Sequence, residues 1–364
     1  MYSDEIRTVG VEEEFLLVHC GSPLLASVGD EVVATAGRLA EGQFEHEFKQ
    51  EQAETGTAPH HAIADVARDL RSRRRTLAEA ASRHGVRLLA SATSPLDQDS
   101  TTTIDRRYAR MGEVFGQLAR AQLTCGMHVH VAIASREEGV AVLDRIRGWL
   151  PVLTALSANS PYVAGQDTGY ASYRSILWAM WPSAGATEPF GTAETYERAT
   201  ADLVATGAAL DDGMIYFDAR LSASYPTVEV RVCDVCADVA DGPVLAALTR
   251  ALVATAARHA VVGFPAPCLR GELLAAARWR AARWGLEDQL VDPVERRLVP
   301  AGDLVDRLLD LVALELARAG DDTLVADGIA RISRRGTGAR LQREAYDAGG
   351  ITAVVEAVAK RTVS

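Results

Sequence analysis

Three short stretches of this chain place charged or imidazole side chains at alternate positions within otherwise apolar, strand-like sequence, at residues 11–17, 127–131 and 227–232. Residues two apart on a strand lie on the same face of a sheet. Three pairs are therefore expected on one side of a sheet: Glu12 with Glu14, His128 with His130, and Glu229 with Arg231. Burying several carboxylates is costly unless cations neutralise them. The pattern predicts a divalent-metal site with Arg231 facing a phosphate or carboxylate.

The order of strand-like and helix-like segments predicts the fold class. The strand-like segments lie at 8–18, 44–57, 86–92, 127–133, 214–221 and 227–232. The helix-like segments lie at 32–39, 63–84, 106–124, 137–157 and over most of the chain after 241. Strands in the first two-thirds without regular βαβ alternation favour an α+β fold, with helices packed on one side of the sheet. We expect a single domain over 1–364, with a strand-rich part at 1–240 and a mainly helical part at 241–364.

Charge and composition exclude several classes of function. The 364 residues carry a formal net charge of −11, which argues against a general binder of nucleic acid or of membrane surfaces. Lysine occurs only at positions 49 and 360, and the chain has no GxxxxGK[ST] motif, so a P-loop is excluded. Arginine supplies the remaining positive charge and suits two-pronged binding of carboxylate or phosphate.

The termini and the cysteines bear on location. The N-terminal residues lack the basic and apolar pattern of a signal peptide, and we expect no apolar run long enough to cross a bilayer. Cys233 and Cys236 have the CxxC spacing of a metal or redox site, but no second cysteine pair or nearby histidine pair completes a zinc site. Buried thiols of a reduced, cytoplasmic protein are the simpler interpretation.

Weaker patterns supply further candidate residues. Glu47 and Glu54 are seven positions apart, which a twisted or bulged strand pair would bring near the first strand, although their acidic neighbours equally suit a solvated segment. Glu229 and Arg231 would form either a metal–phosphate site or an ordinary cross-strand ion pair. Arg174 would be either a cation that clamps substrate or a surface arginine.

Two segments carry expectations about exposure. The predicted helix at 63–84 contains a cluster of arginines that we expect on its solvated face: Arg71, Arg73, Arg74 and Arg75. The stretch 162–197 is rich in glycine, proline, serine and aromatic residues, a composition typical of a binding loop or lid. A lid at this position would exclude water from a reactive intermediate and would bring Arg174 to the substrate.

Taken in order, the motifs resemble the glutamate–cysteine ligase type 2 family, a group of carboxylate–amine ligases in the glutamine synthetase superfamily. The resemblance runs almost from end to end. Its landmarks are GVEEEF at 10–15, HE at 46–47 with Glu54, RY at 107–108, CGMHVHV at 125–131, ALSANSP at 155–161, the segment 165–174, RLS at 220–222, TVEVR at 227–231, WRAAR at 279–283, and GTGAR at 336–340 with Gln342 and Arg343.

The resemblance implies a fold, cofactors and residue roles. The fold would be a glutamine synthetase-like catalytic domain with a curved, mostly antiparallel sheet, and the cofactors would be ATP and Mg²⁺. The residues implied to hold Mg²⁺ are Glu12, Glu14, Glu47, Glu54, His128 and Glu229. The implied catalytic residues are Arg231, Arg220, Arg174 and His130; of these His130, Arg231 and Arg220 would also bind the cofactor, with His130 and Arg231 facing the transferred phosphate.

The chain departs from the family pattern at two places. Residues 92–95 read Ala-Thr-Ser-Pro where relatives often have Gly-Thr-His-Pro, and Ala53 replaces a bulky apolar residue. Both departures bear on the choice of substrate, and neither removes an implied metal ligand.

The expected reaction is ATP-dependent amide formation through an acyl phosphate, similar to that of glutamate–cysteine ligase. The expected partners are a small-molecule carboxylate and an amine, with amino acids favoured, and neither nucleic acid nor membrane; a homo-oligomer is compatible with the sequence. Two alternatives stay open: a phosphotransferase of the guanidino-kinase type, and a non-catalytic binding protein that retains the fold. The sequence identifies neither the substrates nor the general base.

Overall fold

The computed structural model describes residues 5–364. Within this range the strands are β1 (Val9–His19), β2 (Gln43–His46), β3 (Gln52–Gly56), β4 (Val86–Leu89), β5 (Gly126–Ala132), β6 (Tyr162–Val163), β7 (Gln166–Asp167), β8 (Ala219–Leu221), β9 (Thr227–Asp234), β10 (Gln289–Val291) and β11 (Leu298–Pro300). The helices are α1 (Gly29–Leu39), α2 (Ile63–Arg83), α3 (Arg106–Phe115), α4 (Gln117–Ala121), α5 (Arg136–Ile146), α6 (Leu150–Ser157), α7 (Tyr173–Trp178), α8 (Ala193–Ala205), α9 (Gly242–Val261), α10 (Gly271–Trp284), α11 (Ala301–Ala319), α12 (Asp322–Arg335) and α13 (Gly338–Thr362).

One seven-stranded sheet organises the molecule. Its strand order is β2-β3-β1-β5-β9-β8, and β4 pairs with the far end of β1. Every pairing in this sheet is antiparallel. β1, β5 and β9 are neighbours within it, so all three alternating stretches become adjacent interior strands. The α+β fold with an antiparallel sheet is confirmed.

The two faces of the central strands differ in chemistry. One face carries apolar side chains that join the main hydrophobic core, including Val11 of β1, Val129 of β5 and Val230 of β9. This core continues into the helices that follow residue 241, with α9 packed against β5 and β1. The alternate residues of the same strands point to the opposite face, where the charged side chains collect. Period-two alternation therefore separates the core from the cleft.

α9 is a long helix with a high mean hydropathy. By length and composition it could cross a membrane, so the expectation that no apolar run was long enough is wrong. Its most apolar window is 78% buried within the protein, and Arg250 in this helix forms an ion pair with Asp321. Long buried helices at the centre of a core are apolar on all sides. α9 is such a helix.

Four predicted elements differ from the structure. The helix expected at 106–124 divides into α3 and α4 at Gly116, whose φ of 57° and ψ of −124° favour glycine. The helix expected at 137–157 divides before α6, where Pro151 lacks the N–H that a continuous helix would use. Residues 212–214 form a 3₁₀ turn instead of the start of a strand, and the hairpin β10–β11 interrupts the helical C-terminal part.

Arg74 contradicts the expectation of a solvated arginine face on α2. Its side chain is 1% exposed and donates two hydrogen bonds to Glu13, with Nε 2.8 Å from Oε2 and Nη2 2.5 Å from Oε1. It also donates to the backbone oxygens of Cys236 at 2.8 Å and Thr362 at 3.2 Å. One buried arginine therefore joins β1 to α2, to the segment after β9 and to the end of α13.

The stretch 162–197 is more ordered than a simple lid. It contains the small hairpin β6–β7, α7 and the start of α8, and Trp181 and Arg174 within it are 3% and 2% exposed. The interpretation of Arg174 as a surface arginine is therefore wrong.

Candidate active site

The charged pairs predicted from the sequence meet on one face of the sheet. Antiparallel register places Glu12 opposite His128, Glu14 opposite Glu54, and Glu229 opposite both His130 and Arg220. Arg231 follows Glu229 on the same face of β9. Five neighbouring strands therefore supply one continuous row of carboxylates, imidazoles and guanidinium groups.

Three of these residues form a first cluster, Glu12, His130 and Glu229. One ligand atom from each lies within 4.8 Å of the other two. The distance between Nε2 of His130 and Oε1 of Glu12 is 3.3 Å, and Nε2 makes no hydrogen bond. Two carboxylates and an imidazole at this spacing are a suitable donor set for a divalent cation.

A second cluster consists of the carboxylates Glu14, Glu47 and Glu54, again with one oxygen from each within 4.8 Å of the others. Glu47 lies in the turn between β2 and β3 and reaches Glu54 from there. Burial and the charge of Glu47 raise the pKa of Glu14 to about 7. Burial and the hydrogen bond with Glu47 raise the pKa of Glu54 well above its usual range. The three carboxylates repel one another when they are ionised, and a bound cation would reduce this repulsion.

His128 lies between the two clusters. Its Nδ1 is 3.3 Å from Oε2 of Glu12 and its Nε2 is 3.7 Å from Oε1 of Glu14. Burial and the nearby Arg231 lower the pKa of His128 to about 4, so the ring is neutral near pH 7. A neutral imidazole retains a lone pair for a metal or for a proton.

Glu12 and Glu229 behave differently from Glu14 and Glu54. Burial by itself would raise the pKa of Glu12, but the neighbouring imidazoles of His128 and His130 outweigh it and the pKa is lowered. Burial acts likewise on Glu229, but Arg231 and Arg220 lower its pKa below the usual range. These two carboxylates are therefore ionised at neutral pH.

The arginines at the far side of the face differ in how many of their N–H donors already have hydrogen-bond partners. Arg220 donates from Nε to Oε2 of Glu229 at 2.7 Å and from Nη1 to three backbone oxygens of residues 212–215. Its donors are largely used in holding β8 and this turn against Glu229. Arg231 forms an ion pair with Glu229, while its Nε has no hydrogen-bond partner among residues 5–364.

Arg174 and Arg231 share an aromatic support. Their guanidinium carbons lie 5.4 and 5.6 Å from the ring centroid of Trp178, and Arg231 also lies 5.9 Å from that of Tyr216. Arg174 donates from Nη1 and Nη2 to the backbone oxygen of Arg231, each at 3.3 Å. Stacking on aromatic rings holds both planar groups in fixed orientations.

Two connected spaces open on this face. A cleft of about 350 Å³ is lined by both clusters, by Arg220 and Arg231, and by Trp178 and Trp181. Beside it a mainly apolar chamber of about 410 Å³ is lined by Gly10, Gly56, Ala58, Pro59 and Pro226 among others. Glu12, Gln43, His130 and Tyr225 line both spaces, so the first cluster lies at their junction.

All ten residues proposed from the sequence lie on or beside this face. His130, expected to face phosphate, is the imidazole of the first three-residue cluster, and His128, expected to hold metal, lies between clusters. Cys233 and Cys236 are free, buried thiols. Sequence reasoning missed Gln122 and Thr124, which line the cleft and alternate just before β5. The same period-two rule would have found them.

The chain is similar to known proteins over nearly its whole length. The model of glutamate-cysteine ligase family 2 matches residues 8–357. A candidate glutamate–cysteine ligase 2-2 of Frankia alni is 48% identical, with 100% of this chain and 99% of the relative covered. A candidate glutamate–cysteine ligase 2 of Streptomyces coelicolor is 47% identical, with 98% and 99% covered.

Among solved structures, a glutamate–cysteine ligase from Francisella tularensis in complex with AMP has a TM-score of 0.69 at 14% identity. The superposition covers 99% of this chain and 89% of the other. At this identity the likeness establishes the fold, whereas the family model and the close relatives establish the family. This chain belongs to glutamate-cysteine ligase family 2.

Proposed function

We propose that this protein is an ATP-dependent carboxylate–amine ligase that forms an amide through an acyl phosphate, with glutamate and cysteine as the first substrates to test. The observation that carries the proposal is the pair of acidic clusters on one sheet face, flanked by Arg231. Phosphoryl transfer to a carboxylate brings several negative charges together and therefore needs such a concentration of cation sites and guanidinium groups.

The residues present fit Mg²⁺. Glu14, Glu47 and Glu54 provide only carboxylate oxygens, which are the ligands that Mg²⁺ prefers. Glu12, Glu229 and His130 would hold a second ion, and His128 would contact either one. Bound Mg²⁺ would neutralise charge on the ATP phosphates and the transferred group.

The nucleotide base and ribose are assigned to the apolar chamber, with the phosphates over the first cluster. This places the transferred phosphate near His130 and Arg231. The chamber is mainly apolar, has room for an adenosine group, and opens onto Glu12 and His130. Replacing Ala58 on its exposed rim by Trp is expected to raise the KM for ATP with little effect on stability.

The acid substrate is assigned to the cleft beside Arg231 and Trp178. The unpartnered Nε of Arg231 is available for a carboxylate or phosphate oxygen, while Arg174 adds positive charge from behind. Arg220 is assigned a positioning role because its donors already hold Glu229 and the 212–215 turn. Trp178 and Trp181 exclude water, which protects an acyl phosphate from hydrolysis.

The decisive experiment identifies the product. The protein is incubated with ATP, Mg²⁺, glutamate and cysteine, then with pooled amino acids, while phosphate release and product mass are measured. An amide formed in equal amount to ADP and free phosphate supports the proposal. The Glu54→Gln variant, which removes one carboxylate of the second cluster, serves as the inactive control.

The same experiment distinguishes the two rival functions. A phosphorylated product without an amide would identify a phosphotransferase of the guanidino-kinase type. Absence of Mg²⁺-dependent ATP binding would identify a non-catalytic protein that retains the fold. The four carboxylates Glu12, Glu14, Glu54 and Glu229 in one site favour the ligase, because a site without catalysis would have no use for their repulsion.

Three wider features belong to the same proposal. The chain is proposed to act as one domain, since the core beneath the sheet continues into α9 and α11. The cytoplasm is the proposed location, because this compartment contains ATP and amino acids. The proposed partners are small molecules, with no role for nucleic acid or membrane in the reaction.

A further inference from the structure

A separate chamber of about 580 Å³ lies behind the wall of the catalytic cleft. Its lining comes mainly from residues 93–102 and from α4, completed by Lys49, Leu123, the 163–164 turn and Leu177. It shares no lining residue with the cleft or with the apolar chamber. We call it the rear chamber. Its volume is within the range of small-molecule sites.

The wall between the rear chamber and the cleft is formed by residues adjacent in sequence that line opposite sides. Phe48 lines the cleft and Lys49 the rear chamber. Thr124 and Trp178 also line the cleft, whereas their sequence neighbours Leu123 and Leu177 line the rear chamber. A wall one residue thick brings a ligand in the rear chamber close to the catalytic residues without entering their cleft.

Lys49 is the unusual group of this chamber. It is 1% exposed, and its ammonium donates only to neutral acceptors, the backbone oxygen of Arg120 at 3.1 Å and Oγ1 of Thr102 at 3.4 Å. No ion pair within 4.0 Å joins it to a carboxylate among residues 5–364. Burying an ammonium without a counter-ion costs free energy, and a bound anionic ligand would supply that counter-ion.

The mouth of the rear chamber carries charges of both signs. Asp97 and Asp99 line it and are exposed, together with the guanidinium-bearing Arg120. Ser94, within the Ala-Thr-Ser-Pro segment that departs from the family pattern, lines the interior. A ligand with a carboxylate directed inward and an ammonium directed outward would match this order of charges.

We propose that the rear chamber is a second, non-catalytic binding site for a small zwitterionic amino acid, with its carboxylate on Lys49 and its ammonium at Asp97 and Asp99. The reaction needs a free amine inside the cleft, and an amino acid held in this orientation directs its amine away from the cleft. The ligand is therefore an effector. The role as an effector rests on the proposed ligase reaction, whereas binding in the rear chamber does not.

Lys49 provides a physical link to the cleft. Its Nζ lies 4.7 Å from the centroid of the Phe48 ring, and Phe48 packs edge to face on Tyr108 at 5.4 Å. A carboxylate that pairs with Lys49 would draw the ammonium from the Phe48 ring and weaken this cation–π contact. Since Phe48 follows Glu47 directly, occupancy of the rear chamber is expected to change the second cluster.

Because the chain contains only two lysines, ligand binding at Lys49 can be followed directly. In protein labelled with ¹³C-lysine, only Lys49 and Lys360 contribute side-chain signals, and Lys360 lies exposed on α13. L-alanine, acetate and methylammonium are added separately to the full chain saturated with ATP and Mg²⁺. We expect L-alanine and acetate to shift the Lys49 ε-signals saturably and methylammonium to leave them unchanged. Lys360 signals provide the internal control.

Variants assign the two ends of the ligand. Asp97→Asn with Asp99→Asn, at exposed positions, should weaken L-alanine binding but leave acetate binding intact. Lys49→Met should weaken both by about tenfold or more, the value of a charged hydrogen bond, whereas Lys360→Met should change neither. Because Lys49→Met can fail to fold, the aspartate pair and the labelled wild type suffice for the decision.

Several results would overturn the assignment. Lys49 signals that no carboxylate shifts would show that the rear chamber is not an anion site. If the double aspartate variant bound acetate and L-alanine equally less tightly, Asp97 and Asp99 would not be the site of the ligand's ammonium. A failed ligase assay with an intact Lys49 shift would reject the proposed function alone.

Discussion

The two sides of β1 treat consecutive glutamates in opposite ways. Glu13 points toward α2, where Arg74 binds both of its carboxylate oxygens in a setting that excludes water. Glu12 and Glu14 point toward the cleft, where imidazoles and other carboxylates surround them and no arginine binds either one in this two-pronged way. Three identical side chains in sequence therefore occupy two kinds of electrostatic environment.

The difference separates a structural charge from a functional one. Glu13 has a complete partner set, so its charge is balanced within the folded chain. Glu14 and Glu54 have raised pKa values because burial and neighbouring carboxylates oppose their ionisation. Groups held in such unfavourable ionisation states are typical of sites that bind cations or substrates. The predictions below test this contrast.

The largest expected effect is on stability, from Arg74→Met. Removing one partner of a buried pair leaves Glu13 uncompensated, which is expected to lower the free energy of unfolding by about 3–5 kcal/mol. Chemical denaturation checks this value. The double variant Arg74→Met with Glu13→Leu should recover part of the loss, because no buried charge is left alone. Additive losses would show that the pair does not act as a unit.

The next effect is on activity, from Glu12→Gln. Loss of a carboxylate from the first cluster should reduce kcat by more than about 100-fold, as expected for a disrupted metal site. Thermal unfolding should change little, in contrast to Arg74→Met. Calorimetric titration with Mg²⁺ and ATP provides the second measurement. If Glu12→Gln kept the turnover of the wild type, Glu12 would not be a ligand of a metal ion that the reaction needs.

Arg231→Lys is expected to cost about 1–3 kcal/mol of transition-state stabilisation, because lysine does not reproduce a planar two-pronged contact. The ratio of kcat/KM values between variant and wild type measures it. Arg220→Lys is the matched control and should act mainly through stability, because Arg220 donates to the 212–215 backbone. Normal activity with a much lower Tm in Arg231→Lys would identify a structural ion pair.

The smallest effect concerns pH. The folded pKa of Glu14 is about 7, above its ordinary value of 4.5, so the metal-free folded state binds more protons than the unfolded state between these values. Stability should therefore fall as pH rises from 4.5 to 7. In EDTA, Glu14→Gln should be more stable than wild type at pH 8, and this difference should shrink as the pH falls and disappear below pH 4.5.

Mg²⁺ supplies the control for this last prediction. Added Mg²⁺ should stabilise wild type at pH 8 more than Glu14→Gln, because the cation replaces the proton that the carboxylates would otherwise hold. A stability difference that is independent of both pH and Mg²⁺ would show that Glu14 acts through packing and not through its charge.

Alternation was sufficient to predict much of the site. Glu12, Glu14, His128, His130, Glu229 and Arg231 lie on one face because the side-chain period of a strand is two, whatever the strands pair with. The fold class followed from the order of strand-like and helix-like segments. The assignment of Glu47 and Glu54 required the resemblance to a family, since their own surroundings in sequence equally suited solvent.

Other features depended on contacts between distant parts of the chain. Arg74 has arginines at 71, 73 and 75 as neighbours, and only the approach of Glu13, Cys236 and Thr362 makes it a buried ligand of β1. Lys49 shows the same limit, because its burial depends on α4 and on the segment at 102.

The sequence by itself determined which side chains share a strand face, because alternation is a local property of extended backbone. Only the tertiary structure decided which charges have partners. Alternation puts Glu13 and Glu14 on opposite faces, but only the fold brings Arg74, 61 positions away, to Glu13 and places Glu47 and Glu54 beside Glu14. Electrostatic balance depends on distances in space, and the packing of α2, α13 and the turn after β2 against the sheet sets those distances.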